Sequence, residues 1–360
     1  MPSIRLNKAF KVAKDIKAYF HLEGGFTRGV VPDPKKQIED QANKLRNARK
    51  RISKQRQAIR VKDREIERLE KLSASNTSNA SKASDAPAKG KQAPQKNPRR
   101  ISKPGDGSLP EFLILGAQKS GTSSLYSFLK DHPQVAPASK KEVHYFDSPA
   151  FRRGEGWYRS NFPAPSSTNG HKIITGEASP YYLYHPLVPK RAAHLLPNAR
   201  LIALLRNPVD RAYSDYNHRL SDGIETLSFE EAIEAEEERI KGEKEKMLTQ
   251  EGYFSPNHRR YSYLARGIYV DQLEDWHEHF GRDQLLVIKS EDFFSRTGKV
   301  MQQVLDFLEL PAWEEKKSFG QGTNRRSYDK MSPQTRSKLE KYFEPHNQRL
   351  YEYLDTDFGW

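Results

Sequence analysis

Phe112-Leu113-Ile114-Leu115-Gly116-Ala117-Gln118-Lys119-Ser120-Gly121-Thr122-Ser123-Ser124-Leu125 decides how this chain folds, because an apolar run stops at a glycine turn and an amphipathic run begins at once. An uninterrupted apolar run of this length reads as a strand buried on both faces. A strand, a glycine-rich turn and a helix start together present backbone N–H groups and the positive end of a helix dipole to an anion, and the glycines let the main chain approach closely. The residues expected to hold a phosphate are therefore Lys119, Ser120, Gly121, Thr122, Ser123 and Ser124. In the usual nucleoside-triphosphate loop, Gly-Lys-Ser/Thr follows four free residues after the first glycine. Here that slot reads Gly121-Thr122-Ser123, and the lysine is displaced into the loop.

A second apolar run, Leu201-Ile202-Ala203-Leu204-Leu205, ends in Arg206-Asn207-Pro208 and leads on to Ser214. A triphosphatase needs a Mg²⁺-holding aspartate at such a strand end, and this chain has an arginine. A guanidinium there, with a serine two helical turns later, suits direct binding of a second phosphate. The two elements describe a nucleotide phosphorylated at two separate places and bound with no metal.

The pair GAQKSGTSSL and LIALLRNPVDRAYSDY resembles the 5′-phosphosulfate loop and the 3′-phosphate motif of sulfotransferases that use 3′-phosphoadenosine 5′-phosphosulfate (PAPS). Glu142-Val143-His144-Tyr145-Phe146-Asp147 is similar to the Glu-x-His-Phe-Phe-Asp element of the heparan sulfate and related glycan O-sulfotransferases. The resemblance runs from about Leu109 to Trp360. It implies PAPS as co-substrate, a carbohydrate or other hydroxyl acceptor, and Glu142 as general base, with His144 the competing candidate. It also implies that His144 and Asp147 line the acceptor site, that Arg206 and Ser214 hold the 3′-phosphate, and that Asn324, Arg325, Arg326 and Ser327 lie over the 3′-phosphate and adenine. Tyr269 is read as either a cofactor contact or a core residue. Two departures stand out: the family's Glu-Lys-Thr-Pro element reads Glu177-Ala178-Ser179-Pro180, and a late loop that vertebrate members close with a disulfide lies in a chain with no cysteine.

Chemistry assigns the roles. Sulfuryl transfer needs an in-line nucleophile, removal of its proton, and stabilisation of charge on the leaving phosphate. The Lys119 ammonium suits the bridging oxygen and the 5′-phosphate, Ser120 to Ser124 supply donors, and the Glu142 carboxylate suits proton removal. Two other readings remain open on the residues: an atypical P-loop kinase and an inactive nucleotide-binding scaffold. A hydroxyl on a lipid or small metabolite is the alternative acceptor.

Of the 360 residues, 61 are Lys or Arg and 47 are Asp or Glu, for a net charge of +14. Residues 1–108 hold 27 of the basic and 11 of the acidic groups, which leaves 34 against 36 for the rest. The excess belongs to the N-terminal third, so the predicted catalytic domain offers no general polyanion surface, and no nucleic-acid partner is expected. No apolar run approaches the roughly 20 residues that span a bilayer, and the start of the chain lacks a secretory pattern. These features predict a cytoplasmic protein, peripheral to a membrane at most.

Residues 1–34 include a basic amphipathic stretch at 8–22, suited to a membrane surface or a partner. Within 35–72, Ile38, Leu45, Ile52, Ile59 and Ile66 recur every seventh residue, whereas Ala42, Arg49, Arg56, Asp63 and Glu70 fill the second seam position. Both a homo-oligomeric coiled coil and a solitary charged helix fit that pattern. Residues 73–108 are too poor in large apolar side chains to fold and read as a linker. Within the catalytic domain, 109–360, strands are expected near 111–116, 172–176, 200–205 and 284–289. Helices are expected at 121–131, 187–195, 208–220, 297–308 and 333–354, and a solvated helical insertion at 228–250. Apolar strands alternating with helices predict an α/β fold, a P-loop-like parallel sheet covered on both faces, with both phosphate motifs at strand carboxyl ends.

Overall fold

The computed structural model describes residues 107–312 and 328–360, apart from 166, 169 and 170. The stretch at 8–22, the heptads at 35–72, the linker as far as 106 and the Asn324–Ser327 loop lie outside the described residues. The last two linker residues are docked on the domain: the Ser108 N–H donates to the Pro163 carbonyl (2.8 Å), and Arg159 donates to that of Gly107 (3.2 Å).

Five parallel strands form the central sheet in the order β2-β5-β1-β6-β7. They are β1 (Phe112–Gly116), β2 (Val135–Pro137), β5 (Ile174–Ala178), β6 (Arg200–Leu205) and β7 (Leu285–Lys289); β3 (Ser167–Thr168) and β4 (His171–Lys172) pair as a separate antiparallel ribbon. Side chains alternate across each strand, and the two faces bury separate cores. Leu113, Leu115, Leu201, Ala203 and Leu205 join one, and Phe112, Ile114, Ile202, Leu204 and Ile288 the other. Each fully buried Leu or Ile contributes about 1.5–3 kcal/mol, so the apolar runs fix the sheet's position between two helical layers. Helices α1 (Thr122–Leu129), α10 (Ser290–Ser295) and α11 (Thr297–Phe307) cover the second face. The first is covered by α3 (Val188–Leu195), α4 (Pro208–Ser221), α9 (Tyr269–His277) and α12 (Pro333–Leu354).

The order of strands places the site. From β1 the chain crosses to β2, returns to lay β5 beside β1, and then moves to β1's other side as β6, so its direction reverses at β1. Open α/β sheets bind ligands outside the carboxyl ends of strands at such a reversal. The expected elements are present with shifted ends: the strand read at 172–176 is β5 at Ile174–Ala178. The three-residue edge strand β2, containing Pro137, had no periodicity to betray it.

The stretch at 228–250 departs from the expected solvated helix. It folds as α5 (Phe229–Glu234), α6 (Glu236–Ile240) and α7 (Glu243–Thr249), with Phe229, Ala232, Ile233 and Met247 buried. Glu236 is buried too, because its carboxylate accepts the N–H groups of Leu264 (2.7 Å) and Ala265 (2.8 Å). Burial pushes that carboxyl up to about 7 against those bonds. An acidic residue that caps a distant loop looks identical, in sequence, to one that faces water. The remaining short helices are α2 (Gly154–Arg159), whose Tyr158 reaches Glu177 at 2.7 Å, and α8 (Pro256–Arg260), whose His258 lies 2.7 Å from the Tyr181 hydroxyl.

Candidate active site

The turn after β1 is built for close approach. Gly116 has φ +156°, and a Cβ there would lie 2.8 Å from both the Leu183 Cβ and the Pro180 carbonyl oxygen. Gly121 caps α1 in the left-handed region at φ +98°, with no side-chain hydrogen bond to the helix's first turn. The Ser124 (3.0 Å) and Leu125 (3.1 Å) N–H groups bond the Gly121 carbonyl, which leaves those of Thr122 and Ser123 with no acceptor in the helix. Lys119 itself has φ +73°. Non-glycine residues held there are uncommon, costing about 1–3 kcal/mol, and cluster at functional sites. Ser120 is fully buried, its carbonyl accepts the Ser290 hydroxyl (2.8 Å), and its own Oγ has no partner. A buried hydroxyl without a partner beside the Thr122 and Ser123 N–H groups fits a bound phosphate oxygen.

Arg206 joins this cradle from β6. Its Nη1 donates to the Lys119 carbonyl (3.1 Å), while the buried Tyr269 hydroxyl donates to the Arg206 carbonyl (2.8 Å). Tyr269 thus acts as a core residue that anchors the strand end, the second of the two roles expected for it. Asn207 starts α4, its side chain accepting the Val209 (3.0 Å) and Asp210 (3.2 Å) N–H groups, with Pro208 at the first helical position. Ser214 follows in the second turn, buried. The Lys119 charge also reaches α4: after burial, it is the largest cause holding the His218 imidazole below its usual range.

The second half of the site is the turn 142–147, which sits against the end of β5. Glu142 and His144 both adopt left-handed backbone, φ +57° and +52°. His144 Nδ1 lies 2.8 Å from Asp147 Oδ2, and His144 Nε2 lies 3.2 Å from Glu142 Oε2. Lys141 Nζ stands 3.4 Å from the other Glu142 oxygen. Burial pulls the His144 imidazole down, but bonding to Asp147 and Glu142 outweighs it and raises the group to about 9. Burial acts to raise Glu142, and the His144 and Lys141 partners outweigh it, leaving the carboxyl below its usual range.

What holds this turn is the fully buried Glu177. Its Oε1 accepts the hydroxyls of Tyr158 (2.7 Å) and Tyr182 (2.9 Å), and its Oε2 accepts the Ser179 hydroxyl (2.7 Å) and the Val143 N–H (3.2 Å). The same side chains reach further: Ser179 Oγ accepts the His144 N–H (3.1 Å), and the Tyr182 hydroxyl accepts that of Tyr145 (2.9 Å). Burial raises the Glu177 carboxyl, against the bonds from Ser179, Tyr158 and Tyr182.

An arginine chain links the two halves. Gln118 Oε1, in the cradle, accepts from Arg219 (3.2 Å) and from Arg266; Arg266 donates to the Arg259 carbonyl (2.8 Å); and Arg259 Nη2 lies 3.0 Å from His144 Nε2. Arg211, Arg219 and Arg266 surround the buried Asp215, which they hold below the usual carboxylate range against its burial. The structure therefore brings Lys119, Ser120 and Arg206 together, and Glu142, His144 and Asp147 together. The residues sequence reasoning missed are Gln118, Glu177, Arg259 and Arg266. Only the departure at Glu177-Ala178-Ser179-Pro180 hinted at any of them.

Residues 109–353 match the model of the sulfotransferase domain. The chain belongs to the sulfotransferase family. It is similar to the membrane-associated sulfotransferase kil1 of Dictyostelium discoideum, 30% identical over 319 residues that cover 70% of this chain and 66% of that protein. It is 32% identical over 278 residues to human bifunctional heparan sulfate N-deacetylase/N-sulfotransferase 3, covering 68% of this chain and 30% of that protein. The sulfotransferase chain thus spans less than two thirds of the length of either. Among solved structures, a sulfotransferase from Alicyclobacillus acidocaldarius superposes with a TM-score of 0.54 at 31% identity, covering 70% of this chain and 98% of that one.

The expected cytoplasmic placement is overturned by the first of these relatives, which is membrane-associated. That expectation rested on the lack of an apolar span. Among the described residues no helix is long and apolar enough to cross a membrane, but association with one needs only a surface helix, a lipid anchor or a basic patch.

Proposed function

We propose that this sulfotransferase carries the sulfuryl group from PAPS to a nucleophile of a carbohydrate acceptor, with Glu142 as general base. The observation that carries the reading is the continuous linkage from the cradle at Gln118, through Arg266 and Arg259, to the His144–Glu142 pair. It joins an anion site and a proton-accepting site at the carboxyl ends of two adjacent strands. When bound, PAPS supplies an activated sulfuryl group on a phosphate leaving group.

The chain's own residues do the rest. Lys119 and the donors from Ser120 to Ser124 bind the 5′-phosphosulfate and hold charge on the leaving phosphate. Arg206 and Ser214 bind the 3′-phosphate, and family resemblance assigns Asn324, Arg325, Arg326 and Ser327 to that phosphate and the adenine. Glu142 takes the acceptor's proton, while His144 and Asp147 line the acceptor site. The unpartnered buried Ser120 Oγ supports a phosphate ligand. The two relatives' names bear on the acceptor: one names heparan sulfate and N-sulfation, which makes a glycan amine as relevant to test as a glycan hydroxyl.

Transfer of labelled sulfate from PAPS should be measured to N-unsubstituted and to N-acetylated heparosan-type chains, to neutral glycans and to simple lipid alcohols. Glu142→Gln is expected to lose at least a hundredfold in turnover, the usual worth of general base catalysis, while keeping affinity for 3′-phosphoadenosine 5′-phosphate. Arg206→Ala is expected to weaken that affinity itself. The reverse pattern, or transfer to lipid alcohols alone, would overturn the proposal.

A further inference from the structure

Two groups contend for one nitrogen at the acceptor end of the site. His144 Nε2 lies 3.2 Å from Glu142 Oε2 and 3.0 Å from Arg259 Nη2, while Nδ1 faces Asp147 at 2.8 Å. A ring nitrogen has a single in-plane position: protonated it donates to the carboxylate, and bare it accepts from the guanidinium. It cannot do both. Lys141, 3.4 Å from the other Glu142 oxygen, is the remaining charge on that carboxylate. Behind Asp147, and within its electrostatic reach, stand His185, Arg191 from α3 and Glu177 from β5.

Arg259 is placed for this contest. It follows the buried His258 on α8, its carbonyl is held by Arg266 (2.8 Å), and its guanidinium rests over the rings of Tyr181 (5.4 Å) and Phe254 (5.9 Å). No ion pair joins it to an acidic group among the described residues. A structural arginine would take a carboxylate; this one ends on a histidine that the carboxylates already share.

We infer that Arg259 is a positioning residue that draws the bare Nε2 of His144 to itself and so releases the Glu142 carboxylate to take the acceptor's proton. The inference rests on the reading of Glu142 as base. In the imidazolium form both ring protons are committed, one to Asp147 and one to Glu142, and a carboxylate so bonded is a weak base. Loss of the Nε2 proton to solvent leaves Nδ1–H on Asp147, turns the Nε2 lone pair to an Arg259 N–H, and strips Glu142 Oε2 of its donor. The acceptor X–H proton then passes to Glu142. Repulsion between the guanidinium and the imidazolium favours the bare state, and removing Arg259 leaves Glu142 bonded over a wider pH range.

The test is long-range proton–nitrogen NMR of the full chain carrying ¹⁵N-histidine, with the His144 signals assigned by His144→Gln. In the wild type the neutral form should carry its proton on Nδ1, with Nε2 bare. Arg259→Met should raise the His144 titration midpoint by about one pH unit, tenfold in proton affinity, as expected for a unit charge removed from a partly solvated neighbour. Arg259→Lys should keep most of the wild-type midpoint. Glu142→Gln, which spares the arginine, should lower it. An unmoved midpoint in Arg259→Met, or a neutral form protonated on Nε2, would overturn the inference. The rising limb of the sulfotransfer pH profile should shift with the midpoint. Shifted midpoints in a chain that transfers no sulfuryl group would support the pairing and refute the sulfotransfer reading, whereas normal transfer with unmoved midpoints would refute the inference alone.

Discussion

Replacing Glu177 with glutamine removes one charge and reverses the polarity of one oxygen position. In the native site each carboxylate oxygen takes two donors, Tyr158 and Tyr182 on one and Ser179 and Val143 on the other, and the residue is fully buried. A glutamine keeps one acceptor oxygen and turns an NH₂ group toward the second pair. Two buried donors then lose their partner. At about 1–2 kcal/mol for each buried donor left unsatisfied, the expected loss is about 2–4 kcal/mol. For a domain of this size that corresponds to a drop in Tm of roughly 5–15 °C. The loss falls on the 143–146 backbone, so turnover should fall with affinity for 3′-phosphoadenosine 5′-phosphate retained, because the cradle is anchored separately by Ser290 and Arg206. Tyr182→Phe, which removes a single hydroxyl bonded to Glu177 and to the Tyr145 N–H, should show a smaller loss of the same kind. The assay is thermal unfolding paired with calorimetric titration of the bisphosphate. A Glu177→Gln variant with wild-type Tm and turnover would refute the argument that this carboxylate holds the turn.

Two further outcomes follow from the geometry. His144, raised to about 9 in the fold from a usual 6.5, contributes stability that is fully present below pH 6.5 and is lost as pH rises through 9; the contribution is on the order of 3 kcal/mol. Unfolding followed between pH 6 and 10 should show that loss in the wild type and not in His144→Gln. Gly116→Ala places a methyl 2.8 Å from the Leu183 Cβ and the Pro180 oxygen, whereas Gly154→Ala meets nothing within 4 Å at a φ of +76°. The first should cost more than the second by about 1–3 kcal/mol, which thermal unfolding of the two variants will check.

The cradle was legible in the sequence because it is local. A strand, Gly116, Gly121 and α1 follow one another within residues 112–129, and β6, Arg206 and α4 within 200–221. The Glu142–His144–Asp147 turn was legible only through resemblance to a family, since three polar residues at that spacing dictate no conformation. Glu177, Arg259 and Arg266 were not legible as parts of the site. Arg259 and Arg266 reach Gln118 and His144 from more than a hundred residues away, and nothing in His258-Arg259-Arg260 distinguishes an arginine that ends on a histidine from one that faces water. The segment at 228–250 misled for a related reason: its buried residues are spread over three short helices, so no single helical face announces itself, and Glu236 is buried against backbone N–H groups that sequence does not pair with it.

Calorimetric titration of the protein with 3′-phosphoadenosine 5′-phosphate and, separately, with Mg·ATP tests the central claim most directly, because it needs no acceptor. The account predicts metal-independent binding of the bisphosphate that Arg206→Ala weakens at least tenfold, as expected for a charge-assisted contact worth about 1.5–3 kcal/mol. Preference for Mg·ATP, or bisphosphate binding indifferent to Arg206, would contradict it.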